Sequence, residues 1–440
     1  MTSLAIIEWA ALSTQQRRTA LRRPAQDAAD EINLRVREVI ADVRARGDAA
    51  VFDYTRRFDG ADVARLEVPA EEFADAHKAL TAEQVQALKR AIGNVETFHR
   101  AQLSEPLRLE TSPGVVCERH FRAIDAVGLY VPAGVAPLPS AVIMLAIPAA
   151  IAGCETRVIC TPPRKDGTAD PGVLVAAQLC GVERVFKVGG AQAIAAMAFG
   201  TQSIPKVDKV FGPGSAWVTA AKLQVSNDPE GAALDLPAGP SEVMVVADHT
   251  ARAEFVAADL LAQAEHSVDA QVVLVTTSRA LADDTLVQLE LQMRRLDRES
   301  TLRTSIENSR IILVDTLDTA FEVSNAYAPE HLIVQVVDAR RWLPKIRNAG
   351  SVFLGVWTPE TMGDYCSGTN HVLPTYGFAR AYSGLSMTDF MKRMTVQELS
   401  DDGLRDLGPT AITIAQLEGL DAHANAVQVR LAYLDGVRRA

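Results

Sequence analysis

The sequence predicts an α/β protein built on two parallel sheets, and three observations carry that reading. From about residue 123, short β-branched runs alternate with Ala-rich helical runs: AVGLYV, SAVIMLAIPAAIAG, TRVIC, PGVLVAAQLCG, RVFKVGG, AQAIAAMAFG, DKVFG and SAWVTAAKLQV. A second series starts at EVMVVAD and runs through QVVLVTT, RIILVD and HLIVQVV to SVFLG at 351–355. Between the two, DLPAGPSE at 235–242 is a Pro/Gly stretch suited to a boundary.

Taken in order, residues 1–28 are expected to form a small N-terminal helical lobe. EINLRVREVIADVRARG then places Ile32, Val36, Val39 and Ile40 at helical spacing and stops at Gly47, and a second helical run covers 81–103. Residues 29–129 together with 236–381 are expected to make one α/β domain and 130–235 the other. The tail, 382–440, reads as a mostly helical C-terminal lobe.

Composition narrows the function. Of 440 residues, 48 % are apolar and 22 % charged, enough apolar material for a packed core. Acidic residues outnumber basic ones 55 to 44, and the net charge of -11 argues against a nucleic-acid partner, which would need Lys and Arg. The five cysteines, Cys117, Cys154, Cys160, Cys180 and Cys366, are odd in number and form no CxxC pair, which fits a reducing compartment. The N-terminus lacks the pattern of a signal peptide, with Glu8 inside its apolar stretch. The longest apolar run, Ala141 to Cys154, is too short for a bilayer and contains Pro148. A cytoplasmic protein without a membrane partner is expected.

Polar constellations point to chemistry, although each has an ordinary reading as well. In RAEFVAADLLAQAEH, Asp259, Gln263 and His266 share one helix face, as a solvated face or as donors of a site. That helix end lies on the rim opposite the carboxyl ends of the strands, away from the usual ligand position of such folds. In APEHLIVQVV, Glu330 and His331 are a capped loop pair or an acid/base pair, and Pro329 supplies the irregularity that lets neighbours share a pocket. GDYCSGTNHVLPT carries Asp364, Cys366 and His371, either in a polar turn or as metal donors. EGLDAHANAV offers Glu418, Asp421 and His423. GxGxxG is absent; VGGAQAIAA and FGPGSAW are the remaining places where a dinucleotide could meet a βα turn. The residues by themselves lead to a metal-dependent α/β enzyme.

At these segments the sequence resembles the histidinol dehydrogenase family. The resemblance runs over nearly the whole chain, through RGDAAVFDYTRRFDG, GLYVPAG, APLPSAVIMLAIPA, VFKVGGAQAIAA, VDKVFGPGS, DLPAGPSEV, LLAQAEH, YAPEHL, GDYCSGTNHVLPTYG, SGLSMTDFMKRMTVQELS and EGLDAHANAV. It implies a zinc- and NAD-dependent homodimer with two Rossmann-like domains, one carrying the metal and acid/base residues and 130–235 forming the NAD side. The C-terminal lobe would contribute to the partner subunit's site. The zinc ligands, one ion per subunit, would be Gln263, His266, Asp364 and His423. The acid/base pair would be Glu330 and His331, and L-histidinol would meet Ser241, His331 and Glu418 besides the ligands. NAD would meet Tyr130, Gln192 and Ser215. At 215 the family pattern reads GPGN where this chain has GPGS; both residues suit a helix N-cap, so the turn is expected to survive with one amide donor fewer. Neither Cys366 nor His371 falls on a family ligand.

The implied reaction is the last step of histidine biosynthesis, a four-electron oxidation of L-histidinol to L-histidine through bound L-histidinaldehyde, with two NAD. His331 would take the alcohol proton in the first half, and Glu330 would activate water in the second. Two rivals use the same residues: a dehydrogenase of another polar alcohol, such as a sulfonated diol, and a zinc hydrolase. A silent binding protein is a third, opposed by the intact polar set.

Overall fold

The computed structural model describes residues 4–24, 29–133, 136–237 and 239–437. The other positions, including parts of the expected N-terminal lobe, the last glycine of GLYVPAG and an alanine of DLPAGPSEV, lie outside the described residues. In chain order the strands are β1 (Ile6–Glu8), β2 (Leu107–Ser112), β3 (Val115–Ala123), β4 (Ala126–Tyr130), β5 (Thr156–Thr161), β6 (Val185–Lys187) and β7 (Lys209–Phe211). There follow β8 (Ala233–Leu234), β9 (Glu242–Ala247), β10 (Gln271–Thr276), β11 (Arg310–Leu313), β12 (His331–Gln335), β13 (Ser351–Leu354) and β14 (Met391–Leu399).

The chain forms two compact units: residues 1–102 with 124–390, and residues 103–123 with 391–440. The first holds two parallel sheets, one ordered β6-β5-β4-β7-β8 and the other β1-β11-β10-β9-β12-β13. With β1 set aside, both have one plan, in which the first strand of each series is central and the fourth lies on its far side. That reversal is the topological switch point of a doubly wound sheet. Every residue of β9 and β10 is buried, as expected of strands covered on both faces. Alternation then divides the core: Val243, Val245 and Ala247 pack with Val256, Leu260 and Leu289, whereas Met244 and Val246 pack with Trp9, Phe321 and Tyr327.

Several placements differ from the sequence reading. Ile6–Glu8, inside the expected helical lobe, is an edge strand paired in parallel with β11; three residues are too few to show a period. Val36, Val39 and Val43 of the helix Ala29–Arg46 bury themselves in the core of the five-stranded sheet, beside Phe186 and Ile194, and not with 236–381. A helix's periodicity shows which face is buried but not against which sheet.

The second unit is an antiparallel sheet, β14-β3-β2, followed by the helices Asp401–Leu417 and Asp421–Val437. The C-terminal segment is thus less uniformly helical than expected, because β14 pairs residue by residue with β3. Among the described residues no helix is long and apolar enough to cross a membrane.

Candidate active site

The amino ends of β9, β10 and β12 carry Glu242, Gln271 and His331, polar residues opening largely apolar strands, and all three are buried. The helix Ala253–Ala264 leaves β9 and runs back along the sheet, so its last turn returns Gln263 to this same rim, with His266 just beyond. The helix Glu360–Tyr365, after β13, brings Glu360 and Asp364 to it, four residues apart on one face. The polar set therefore gathers at the amino rim of the six-stranded sheet, not at the carboxyl rim where ligands of open α/β sheets usually sit.

His331 is the first residue of β12, in register with Val243 and Ser351. Glu330 precedes the strand, after Ala328 in a left-handed conformation, so strand alternation does not separate the two side chains. His331 Nδ1 is 3.6 Å from Glu330 Oε2, and that oxygen accepts the Glu242 backbone N–H at 2.9 Å. The imidazole's own contacts are the Glu242 carbonyl at 3.3 Å from Nδ1 and Asp364 Oδ1 at 3.2 Å from Nε2. Oriented by its surroundings, the Gln263 amide donates to Glu360 Oε1 at 2.6 Å and accepts from the Glu242 N–H at 3.1 Å.

Electrostatics here follow from burial and crowding. Burial, opposed by His331, pushes the Glu330 carboxyl up to about 8. The Glu360 carboxyl rises well above its ordinary range for the same reason, with Asp364 and Glu330 adding to the effect. Burial would lower the His331 imidazole, but Glu330, Glu360 and Asp364 outweigh it and hold the ring well above its usual value. Burial raises Asp364, and its bond to His331 with the nearby imidazoles more than reverses that. His266 is exposed, yet enough protein surrounds it for desolvation to lower its ring, against the pull of Asp364. Three carboxyls face one imidazole, an arrangement that favours a bound cation.

Supporting groups lie behind the set. Arg23 donates to both oxygens of Glu242 (2.5 and 2.7 Å) and stacks on Tyr327, 4.0 Å from the ring centre. His371 Nδ1 lies 2.6 Å from the Asp364 carbonyl, and Ser241 stands just before β9. Cys366 accepts, through its carbonyl, from the Asn94 side chain. Asp259 binds Gln335 on β12 at 2.6 Å, and burial lifts its carboxyl to about 7. Arg23, Glu242 and Glu360 did not emerge as site residues from the sequence; a lone charge opening an apolar strand is the signal that marks Glu242.

Gln263, His266 and Asp364 offer oxygen and nitrogen donors suited to a borderline divalent ion. Among the described residues no three His, Cys, Asp or Glu side chains already form a metal cage. A metal held here needs the amide of Gln263 and a further donor. Glu418 and His423 are both exposed in the second unit, at the turn between its two long helices.

The other expected contacts stand at the switch point of the five-stranded sheet. Tyr130 ends β4, and its hydroxyl accepts the Gly190 N–H at 3.1 Å. Gln192, in the first turn of the helix Gly190–Phe199, is 1 % exposed, and among the described residues neither end of its amide has a partner. After β7 the chain passes Gly212, where a Cβ would lie 2.1 Å from the Tyr130 carbonyl oxygen, so only glycine fits. Ser215 takes the N-cap position of the helix Ala216–Ser226 with extended backbone, but its side chain makes no capping bond. The expected turn is present without that bond.

The family description "Histidinol dehydrogenase" matches residues 21–431. The chain belongs to the histidinol dehydrogenase family. It is 55 % identical over 426 residues to the histidinol dehydrogenase of Xanthomonas oryzae pv. oryzae, covering 97 % of this chain and 99 % of that one. With the histidinol dehydrogenase of Vibrio vulnificus it shares 53 % over 428 residues, covering 97 % and 98 %. The fold agrees: a crystal structure of histidinol dehydrogenase from Elizabethkingia anophelis superposes with a TM-score of 0.93 at 44 % identity, covering 96 % of this chain and 97 % of that one. As a histidinol dehydrogenase family member the chain is an oxidoreductase, and its two parallel sheets are the expected Rossmann-like pair.

Proposed function

We propose that this oxidoreductase converts L-histidinol to L-histidine in two successive two-electron steps, with NAD as oxidant and one zinc ion per subunit. The arrangement of His331 between Glu330 and Asp364, beside the Gln263 amide, supports this reading most directly. Gln263, His266 and Asp364 would hold the metal together with His423, which a partner subunit in a homodimer would deliver along with Glu418. Tyr130, Gln192 and Ser215 would seat the dinucleotide. Zinc supplies a Lewis-acidic anchor for the substrate's nitrogen atoms and NAD the hydride acceptor.

The chain's own groups manage the protons. The Glu242 carbonyl keeps Nδ1 of His331 protonated, so Nε2 is the atom that accepts the alcohol proton once Asp364 serves as a ligand. Ser241 stands at the same rim to receive the substrate. In the second step water supplies the new oxygen, and Glu330, beside His331, is placed to take its proton; burial raises its carboxyl to about 8, which makes it a stronger base once ionised. Because the aldehyde is reactive, both steps belong in one site. A cytoplasmic location fits this biosynthetic role.

The test is an absorbance assay of purified protein with zinc, NAD and L-histidinol. About two NADH per substrate are expected from the two-step chemistry. One NADH per substrate removes the second step, and none removes the reading.

A further inference from the structure

Gln263 raises a difficulty that the structure also answers. A carboxamide has one end that can bind a cation, the carbonyl oxygen, and one that cannot, the NH₂ group. A free glutamine presents either. In this chain Gln263 is 1 % exposed and its two ends meet unlike neighbours. The Glu242 N–H, a donor at any pH, lies 3.1 Å from one end, and Glu360 Oε1 lies 2.6 Å from the other. The Glu242 N–H is shared with Glu330 Oε2 at 2.9 Å, so its hold on the amide is partial. Glu360 makes the shorter contact.

The geometry points to Glu360 as the positioning residue that commits the NH₂ end of Gln263, leaving the carbonyl oxygen with a lone pair for the metal. This rests on the zinc reading above. Glu360 sits in the first turn of the helix whose last turn carries Asp364, so one short helix presents a ligand and the group that orients another. Its second oxygen, Oε2, is buried without a partner among the described residues. A packing role would not favour that, since an unpaired buried acceptor is destabilising and a leucine would fill the space.

The experiment is zinc affinity of the full-length protein, measured without substrate by competition with a chromophoric chelator. Glu360→Leu and Glu360→Ala should weaken binding about 10- to 100-fold, the usual loss when an outer partner of a ligand is removed, with unchanged circular dichroism. In a Gln263→Glu background the ligand offers oxygen whichever way it turns, so Glu360→Leu should there leave affinity unchanged or improve it. Affinity within twofold of the parent for both Glu360 variants overturns the proposal. So does an equal loss in both backgrounds, which would mark a merely structural role. If the unaltered chain takes up no zinc, the metal reading fails first and takes this assignment with it.

Discussion

His331 Nε2 lies 3.2 Å from Asp364 Oδ1 while Nδ1 lies 3.3 Å from the Glu242 carbonyl oxygen, so both ring nitrogens face acceptors. The proposed mechanism requires this residue to take up a proton and release it. The substitution His331→Asn should lower kcat for histidinol about 10²- to 10⁴-fold, the usual worth of a general base, with zinc content by atomic absorption unchanged. Loss of the metal in that variant would count against the base assignment.

Gln192 predicts opposite effects on stability and on cofactor binding. Its amide is buried with neither end paired among the described residues, and each unsatisfied group costs about 1–3 kcal/mol. Gln192→Leu, of similar volume, should therefore raise the melting temperature of the chain without ligands. It should also weaken NAD about 10-fold by titration calorimetry, while the affinity for histidinol in the absence of NAD stays constant. Unchanged NAD affinity would detach Gln192 from the cofactor.

The Arg23–Glu242 pair is a support whose removal is expected to be severe. Both side chains are nearly covered, at 10 % and 2 % exposure, and deleting one partner of a buried ion pair costs about 3–5 kcal/mol. Arg23→Met should lose roughly that much in urea unfolding. It should also slow turnover, because Glu242 donates its N–H to Glu330. A loss under 1 kcal/mol would show that solvent reaches the carboxylate.

Asp59 gives a pH dependence with a definite sign. Burial raises its carboxyl to about 6 from 3.8, and among the described residues its Oδ2 is buried without a partner. With the folded value raised, the folded state holds the proton more tightly. The group therefore costs nothing below about pH 4, costs increasingly between 4 and 6, and costs its full amount above 6. After discounting for solvent screening, that amount is about 1–2 kcal/mol. Asp59→Asn should be more stable than the parent at pH 7 and indistinguishable from it at pH 3.5 by denaturant titration.

The sequence made the βα alternation legible because buried parallel strands read as continuous apolar runs, as EVMVVA and QVVLVT do. It also placed Gln263 and Glu330 in polar segments, since both interrupt apolar runs. What it could not show was convergence. Glu360 lies 97 positions beyond Gln263, and only the return of two helices to one rim joins them. Arg23 is 219 positions from Glu242 and looked like any basic residue. The three-residue β1 has no period to detect, and the Ala29–Arg46 helix could not reveal which sheet it covers.

The strand plan appears twice in this chain, but its polar residues occupy the amino rim of one copy and the switch point of the other. Each rim can therefore change on its own: a substitution at one need not disturb the other, and the converse holds.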